Sequence, residues 1–328
     1  MKRKPFRTAL LSSFVALLSV VSAKAQTIYT FPDDGFTPVY TYINSATKTL
    51  DMTMYELVDT TAVNDLIALE AKGVVVRVIL DQNLEKTKNT PAYNTLTAAG
   101  ISVHWANTTY HATHQKTIIV DKASALILSA NLTSEYYSDT RDFGVLDTNS
   151  SNVSAIEATF NKDFTDTAWT PSKAYSLIWS PTDSDADLLA IINNAEYTLT
   201  VESEEISASD IVKALEAAAA RGVVVKLIMT NDDNDYASEF NALAAAGVNV
   251  HVFKDNSSTL YIHAKVTIAD AGYSGDQKVF CGSENYSTAS LKENRELGIV
   301  MATSALVTKF NGVLLTDYAN STVWVPTA

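Results

Sequence analysis

Two short stretches of the chain place a histidine two residues before a lysine and seven residues before an aspartate. They read His114-Gln-Lys-Thr-Ile-Ile-Val-Asp121 and His263-Ala-Lys-Val-Thr-Ile-Ala-Asp270, and they lie 149 positions apart. Side chains alternate across a strand, so each histidine shares a face with the lysine two positions later. An imidazole can act as a nucleophile or as a general acid and base, and a nearby ammonium can bind phosphate oxygens. The pattern therefore suggests phosphoryl-transfer chemistry.

A serine and an asparagine follow each copy, in Ser129-Ala-Asn131 and Ser283-Glu-Asn285. We interpret Thr117–Val120 and Ala125–Ala130 as an antiparallel hairpin, in which directly opposed side chains lie about 5 Å apart. The second copy has a longer loop and predicts the same cluster. The predicted pairs are His114 with Asn131, Lys116 with Ser129, His263 with Asn285 and Lys265 with Ser283.

The aspartate that ends each motif has a different expected role. Asp121 and Asp270 lie seven positions after their histidines, an odd offset that points them to the other face of the strand or into the turn. We therefore expect both carboxylates to fix turns, in support of the reacting groups.

The doubled His-x-Lys-x4-Asp motif, followed by Ser-x-Asn, resembles the phospholipase D superfamily. This family holds phosphodiesterases that act on phospholipids or nucleic acids, and phosphatidyltransferases. The resemblance covers nearly all of the chain after its first 25 residues. It departs at Leu128, where the family usually has glycine before the serine; the second copy has Gly282.

The resemblance implies one active site, where the two halves meet, that works without a metal or other cofactor. We assign His114 as the nucleophile and His263 as the general acid and base, although the symmetry of the motifs leaves the reverse assignment open. Lys116, Lys265, Asn131 and Asn285 would bind the phosphate oxygens, with Ser129 and Ser283 behind them.

Each histidine also needs an acceptor that orients its other ring nitrogen. Asp142 and Glu296 lie eleven residues after Asn131 and Asn285, each preceded by an arginine. Similar family members carry an acid here, so we predict that these two residues orient the histidines. The alternative is a surface carboxylate beside an arginine. Five tyrosines flank the motifs and are candidates for lining a cleft or for ordinary packing: Tyr110, Tyr136, Tyr137, Tyr261 and Tyr286.

The rest of the chain repeats with the same spacing. Gly73 and Gly222, again 149 positions apart, each follow a helical pattern and precede an apolar strand, as expected for glycine just past a helix end. A second helix–glycine–strand unit follows in each copy. The pattern predicts an α/β fold of two similar halves, residues 26–170 and 171–328. Each half would hold a mixed, mostly parallel sheet flanked by helices, and the halves would be related by a pseudo-two-fold axis.

Residues 1–25 combine a basic start, an apolar run and an Ala-Lys-Ala site, which predicts a cleaved signal peptide and a secreted or periplasmic protein. An uncleaved anchor is the alternative. Loss of five basic residues with the leader would change the net charge from −13 to −18. Such a surface repels polyanions unless basic groups gather at one site. The single cysteine, Cys281, excludes an internal disulfide.

These observations favour a secreted phospholipase D-type phosphodiesterase that hydrolyses phospholipid head groups, with transfer to another alcohol as a further outcome. We expect a monomer, with peripheral membrane contact through its lipid substrate. The second hypothesis is a nuclease of the same superfamily. It ranks below the first because a nuclease would need a basic groove, whereas the chain carries a large net negative charge. An inactive protein that only binds phosphate esters is the third.

Overall fold

The structure, a computed structural model, describes residues 26–172, 176–256 and 259–326. The predicted signal peptide, residues 1–25, lies outside these ranges. Two α/β halves follow one another along the chain, each built on one mixed sheet with flanking helices. Within the described ranges, no helix is long and apolar enough to cross a bilayer.

The N-terminal half begins with a strand and ends with a helix that leads to the second half. Its elements are β1 (Thr27–Phe31), α1 (Thr37–Asn44), β2 (Thr49–Met54), α2 (Thr60–Ala71), β3 (Val75–Leu80), α3 (Lys86–Ala98), β4 (Ser102–Trp105), β5 (Thr117–Val120), β6 (Ser124–Leu128), a short 3-10 helix (Ser134–Tyr136), β7 (Thr140–Asp147) and α4 (Ser150–Asp163).

The C-terminal half repeats this order with small additions. Its elements are β8 (Leu177–Ser180), α5 (Ser184–Asn193), β9 (Thr198–Glu202), α6 (Ser209–Ala220), β10 (Val224–Asn231), α7 (Ala237–Ala245), β11 (Asn249–Lys254), β12 (Tyr261–Ile262), β13 (Val266–Ala269), β14 (Lys278–Gly282), α8 (Thr288–Lys292), β15 (Glu296–Met301), α9 (Ser304–Asn320) and β16 (Thr322–Val323).

Both sheets are mixed, as predicted, but the expectation that they are mostly parallel is wrong. The strand orders are β1-β7-β6-β5-β2-β3-β4 and β16-β11-β10-β9-β13-β14-β15-β8. Along these two orders, only β2-β3-β4 and β9-β10-β11 pair in parallel. A helix connects each of these strands to the next, as a parallel pair requires, whereas β5 to β6 is a tight hairpin that can only be antiparallel.

The helix ends follow from the glycines. Gly73 and Gly222 come directly after the C-cap residues of α2 and α6, Lys72 and Arg221, with φ of +86° and +94°. Glycine adopts this left-handed conformation without the steric cost of a Cβ atom, so the chain turns sharply into the next strand. The predicted position of both glycines, just past a helix and before a strand, is confirmed.

The predicted register of both hairpins is wrong by one residue. Thr117 pairs with Ile127 and Val266 pairs with Cys281, so the lysines lie opposite Leu128 and Gly282 and not opposite the serines. In the first hairpin the cause is a turn one residue shorter than predicted, in which Asp121 and Lys122 both have positive φ, +53° and +54°.

The motif aspartates hold loops, as predicted. The carboxylate of Asp121 accepts hydrogen bonds from the backbone N–H groups of Thr47, Lys48 and Thr49, at 2.7–3.1 Å. Burial opposes ionisation there, but these bonds and the Thr47 hydroxyl lower the pKa of Asp121. Asp270 accepts equivalent bonds from residues 196–198. Each aspartate thereby fixes the start of the strand beside its hairpin.

The two halves share an apolar core and are joined by two equivalent ion pairs. One apolar cluster combines Phe143 from the first half with Trp179 and Phe310 from the second. Arg141 reaches Asp317 on α9 (2.6 Å), and Arg295 reaches Asp163 on α4 (3.0 Å). The two ion pairs are related to each other by the predicted pseudo-two-fold axis.

Candidate active site

A cleft of about 720 Å³ opens where the halves meet, and both motif histidines line it. His114 and His263 keep 12% and 14% of their side-chain surface exposed, so each ring is held by protein and still faces the cleft. Asn131 and Asn285 line the same cleft. The structure therefore brings the two predicted clusters together.

Each histidine is held by a carboxylate from the opposite half. Nδ1 of His114 lies 2.7 Å from Oε2 of Glu296, and Nδ1 of His263 lies 2.9 Å from Oδ1 of Asp142. Both acids therefore contact histidines, as the sequence suggested, but the contacts cross between halves. The Nε2 atom of each ring is left on the side away from its carboxylate.

Backbone pairing explains why the acids cross. Strand β12, which directly precedes His263, pairs in parallel with Thr140 and Arg141 at the start of β7. This pairing sets Asp142 beside His263. The mirror contact is a bridge between Thr113 and Arg295, which sets Glu296 beside His114. A short strand contact before each histidine thus selects the opposing acid.

Buried hydroxyl and amide groups hold the two acids. Ser129 Oγ donates to Oδ1 of Asp142 at 2.5 Å. Ser290 Oγ and Asn294 Nδ2 donate to Oε1 of Glu296 at 2.6 and 2.9 Å. Ser283, the counterpart of Ser129, instead accepts a bond from the Leu297 N–H at 3.2 Å. Neither predicted serine lines the cleft, so both act behind it.

The two motif lysines are almost fully buried and have different partners. Nζ of Lys116 donates to the His114 carbonyl at 2.8 Å and lies 4.9 Å from the centre of the Tyr55 ring. Burial, with the positive charge of Lys265, lowers the pKa of Lys116 to about 7. Lys265 donates to the His263 carbonyl and forms an ion pair with Glu204 at 2.8 Å.

The surroundings of His114 favour its neutral form. Burial lowers the pKa of His114 despite the adjacent Glu296, and the charge of Lys116 acts in the same direction. Burial alone would raise the pKa of Glu296, but His114, Lys116 and Ser290 lower it, so the acid is ionised. A neutral imidazole that donates its Nδ1–H to Glu296 leaves a lone pair on Nε2, as a nucleophile requires.

Glu204 belongs to the site but was not predicted from the motifs. Its Oε2 accepts from Nζ of Lys265 at 2.8 Å and from Nδ2 of Asn285 at 3.0 Å, and it lies 3.5 Å from Nε2 of His263. The equivalent position in the first half, 149 residues earlier, is Tyr55. Its place just past the carboxyl end of β9, a parallel strand, was the available signal, because such ends commonly carry site residues.

The walls of the cleft are acidic and aromatic. In the parts of the chain that the structure describes, no lysine or arginine belongs to the lining. Three of the five tyrosines considered above line the cleft: Tyr136, Tyr137 and Tyr261. Seven carboxylates line it: Glu56, Asp139, Asp142, Glu204, Glu205, Asp232 and Asp255.

Tyr110 and Tyr286 have packing roles elsewhere. Tyr110 accepts a bond from Arg295, and Tyr286 is buried against Thr267. Cys281 is also fully buried. Among the described residues, no three or more His, Cys, Asp or Glu side chains are grouped so as to hold a metal ion.

Comparison with known families gives one match over both halves. The family model described as "Cardiolipin synthase, PLD-like domain" matches residues 39–164 and again residues 188–317. The two matched ranges contain the two histidine motifs. No curated protein matches the chain.

Solved structures with the same fold include two enzymes of different kinds. Phosphatidylserine synthase from Haemophilus influenzae Rd KW20 aligns with a TM-score of 0.68 at 10% identity, over 92% of this chain and 88% of its own. Polyphosphate kinase from Porphyromonas gingivalis also aligns with a TM-score of 0.68, at 13% identity over 89% of this chain. The alignment spans only 50% of the kinase. At these identities the likeness concerns the fold alone.

Proposed function

The chain belongs to the phospholipase D superfamily, and we propose that it is a secreted phosphodiesterase that cleaves the head-group side of phospholipids through a phosphohistidine intermediate. One observation carries this proposal: both motif histidines line a single cleft, each oriented by a buried acid of the opposite half. Two such imidazoles can divide the two tasks of phosphodiester cleavage.

In the proposed first step, Nε2 of His114 attacks phosphorus and forms a P–N bond. The P–O bond to the leaving alcohol breaks, and Nε2 of His263 gives that oxygen its proton. His263 then takes a proton from water, whose oxygen attacks phosphorus and releases His114. An alcohol in place of water would give transfer instead of hydrolysis.

The lysines and asparagines support these steps electrostatically. Lys116 and Lys265 lie behind the cleft and can stabilise the negative charge on the phosphate oxygens. Lys116 has no carboxylate within ion-pair distance among the described residues, so its charge is available to a phosphate group. The buried carboxylates of Glu296 and Asp142 stabilise each imidazole when it becomes positive.

The lining of the cleft favours a lipid over a nucleic acid. Nucleic-acid sites depend on lysine and arginine side chains that neutralise successive phosphates. Here the described lining holds seven carboxylates and neither lysine nor arginine. A single phosphate that reaches the two buried lysines avoids much of this repulsion. The matched family description, which names a phospholipid synthase, supports the same substrate class.

Export is a further part of the proposal. Its support is the leader-like composition of residues 1–25, and contact with a membrane surface would follow from a lipid substrate. A test is the N-terminal sequence of protein recovered outside the cytoplasm, which should begin at Gln26.

The experiment that tests the activity uses mature protein, chelator and phosphatidylcholine micelles containing ethanol. We expect release of choline together with phosphatidylethanol. Single-stranded DNA is the parallel substrate, and cleavage of DNA alone would favour the nuclease. Binding of a phosphate ester with no turnover of either substrate would favour an inactive binding protein.

Two variants control this experiment. His114→Ala and His263→Ala should each reduce turnover by at least about 10²-fold, because each removes one of the two reacting imidazoles. Full activity in either variant would rule out the shared-site mechanism.

A further inference from the structure

Glu204 occupies a position in the cleft where a phosphate oxygen is expected. Its Oε2 accepts hydrogen bonds from Lys265 and Asn285 and lies 3.5 Å from Nε2 of His263. The proposed function gives the same three groups to the phosphate: a cation, an amide donor and the general acid. The carboxylate of Glu204 therefore fills the anion position of the C-terminal half.

Among the residues that the structure describes, none fills the corresponding position of the N-terminal half with an anion. Tyr55, at the matching position, presents its ring at 4.5 Å from His114 and 4.9 Å from Nζ of Lys116. Only the C-terminal anion position must therefore be vacated before a substrate phosphate can contact both lysines.

Protonation does not vacate that position near neutral pH. Burial alone would raise the pKa of Glu204, but His263, Lys265 and Asn285 together hold it far below its ordinary value. The charged side chain must therefore move when a phosphate arrives. Glu204 lines the cleft and is 23% exposed, so it has room to turn.

The region available to the displaced carboxylate is already acidic. Glu205, Asp232 and Asp255 line the same cleft. Burial raises the pKa of Glu205, and the negative charge of Glu204 acts in the same direction. A carboxylate that leaves Lys265 for these surroundings loses a counter-ion unless the substrate supplies one.

We propose that Glu204 determines substrate specificity: it yields Lys265 and Asn285 to the phosphate group and then binds an ammonium group on the substrate's alcohol. The ion pair between Lys265 and Glu204 is thus exchanged for two contacts with one zwitterionic phosphodiester. The inference rests on the proposed function for its reaction, while its binding step can be measured without turnover. An anionic phosphodiester lacks the ammonium group and leaves Glu204 unpaired.

Binding of soluble head-group diesters tests this exchange. The ligands are glycerophosphoethanolamine and glycerophosphoglycerol, titrated by calorimetry into the His114→Ala protein so that no turnover occurs. We expect the ethanolamine diester to bind about tenfold more tightly, because a hydrogen-bonded charge pair is gained. Adding Glu204→Gln should bring the ratio of the two dissociation constants near one. A ratio that Glu204→Gln leaves unchanged would overturn the proposal.

A matched control and a second measurement keep the outcome clear. Glu196→Gln removes the same charge at an exposed position outside the cleft and should leave the ratio unchanged. In the otherwise wild-type chain, Glu204→Gln should tighten binding of inorganic phosphate about tenfold, because the competing carboxylate is gone. Unchanged phosphate affinity would contradict the proposed displacement without relying on the His114 variant.

Different experimental results would exclude the role of Glu204 and the proposed phospholipase activity. If the chain turns over no lipid but retains the tenfold ligand preference, specificity stands and the phospholipase assignment falls. If phosphatidylethanolamine and phosphatidylglycerol in neutral-detergent micelles are cleaved at equal rates, and the soluble diesters bind equally, the enzyme assignment stands and the role of Glu204 is excluded.

Discussion

Nδ1 of His114 lies 2.7 Å from Oε2 of Glu296, a residue 182 positions further along the chain and in the other half. The matching contact joins His263 to Asp142, which is 121 positions earlier. Neither half therefore supplies the acid that contacts Nδ1 of its own motif histidine. Proper docking of the halves is a condition for orienting either imidazole.

Removal of either crossing charge should impair turnover more than binding. Glu296→Gln and Asp142→Asn keep the size of each side chain but no longer stabilise an imidazolium by charge. We expect kcat to fall about 10²–10⁴-fold while KM changes little, since neither acid is expected to contact the phosphate. Steady-state kinetics on phosphatidylcholine micelles would measure this.

The matched control is Glu293→Gln, an exposed acid near Glu296 that has no contact with either histidine. It should retain wild-type kcat. An equal loss in the control and in Glu296→Gln would show that the crossing contact has no special role.

The assignment of His114 as nucleophile predicts where a covalent phosphoryl group forms. Its lowered pKa keeps the ring neutral and ready to attack. His263→Ala slows both steps for an alcohol leaving group. With a phosphodiester whose leaving group needs no proton, such as a p-nitrophenyl ester, attack by His114 should still occur and a phosphoryl-enzyme should accumulate, because the step that activates water is slowed. Rapid quenching and peptide mass spectrometry should place the group on the peptide that contains His114. His114→Ala should carry none, and a label on His263 would reverse the assignment.

The pKa of Lys116, lowered to about 7 by burial and by the charge of Lys265, predicts how anion binding depends on pH. Below pH 7 the ammonium is charged and attracts a phosphodiester. As pH rises through 7, Lys116 loses its proton in the free protein and affinity falls, by up to about tenfold per unit. Dimethyl phosphate, a monoanion throughout this range, is a suitable ligand for calorimetry.

Lys116→Arg tests which group causes this pH dependence. Arginine stays charged at all these pH values. In the variant, the loss of anion affinity at alkaline pH should therefore disappear or shift to higher pH. Lys278→Arg, at an exposed site on β14, should retain the wild-type profile. The same alkaline loss in Lys116→Arg would assign the titration to another group.

The buried ion pair between the halves predicts a large effect on stability. Arg141 and Asp317 are 6% and 3% exposed, so Asp317→Asn removes the buried counter-charge of the guanidinium and leaves it paired with Asp33, which is 58% exposed. We expect the free energy of unfolding to fall by about 3 kcal/mol. In the exposed pair of Lys292 with Asp210, Asp210→Asn should cost at most about 1 kcal/mol. Urea denaturation would compare them, and equal losses would contradict this account.

Much of the fold was predictable because the repeat displays it twice. The glycine after α2 and α6, the short hairpin strands and the turn-fixing aspartates all follow from local chemistry. The register of β5 against β6 did not follow, because it depends on positive φ at Asp121 and Lys122 and not on the hydrophobic pattern. The amount of parallel pairing was also overestimated, since β7 and β15 were not recognised as strands.

The candidate site was also predictable only in part. The two histidines, with their lysines and asparagines, could be selected by type and spacing within each copy, and both acids were selected through the family resemblance. Which acid serves which histidine could not, because the crossing depends on contacts of Tyr261 and Ile262 with the other half. Glu204 was missed because no residue of its type occupies the corresponding position in the first copy.

The difference between Tyr55 and Glu204 has a consequence for how such a site can evolve. In an assembly of two identical subunits, one substitution would alter both flanks of the bound phosphorus atom at once. Covalent fusion of the repeats lets each flank mutate alone. A carboxylate can then be added on the leaving-group side while the attacking side keeps an aromatic ring, which allows selectivity to change without altering the nucleophile.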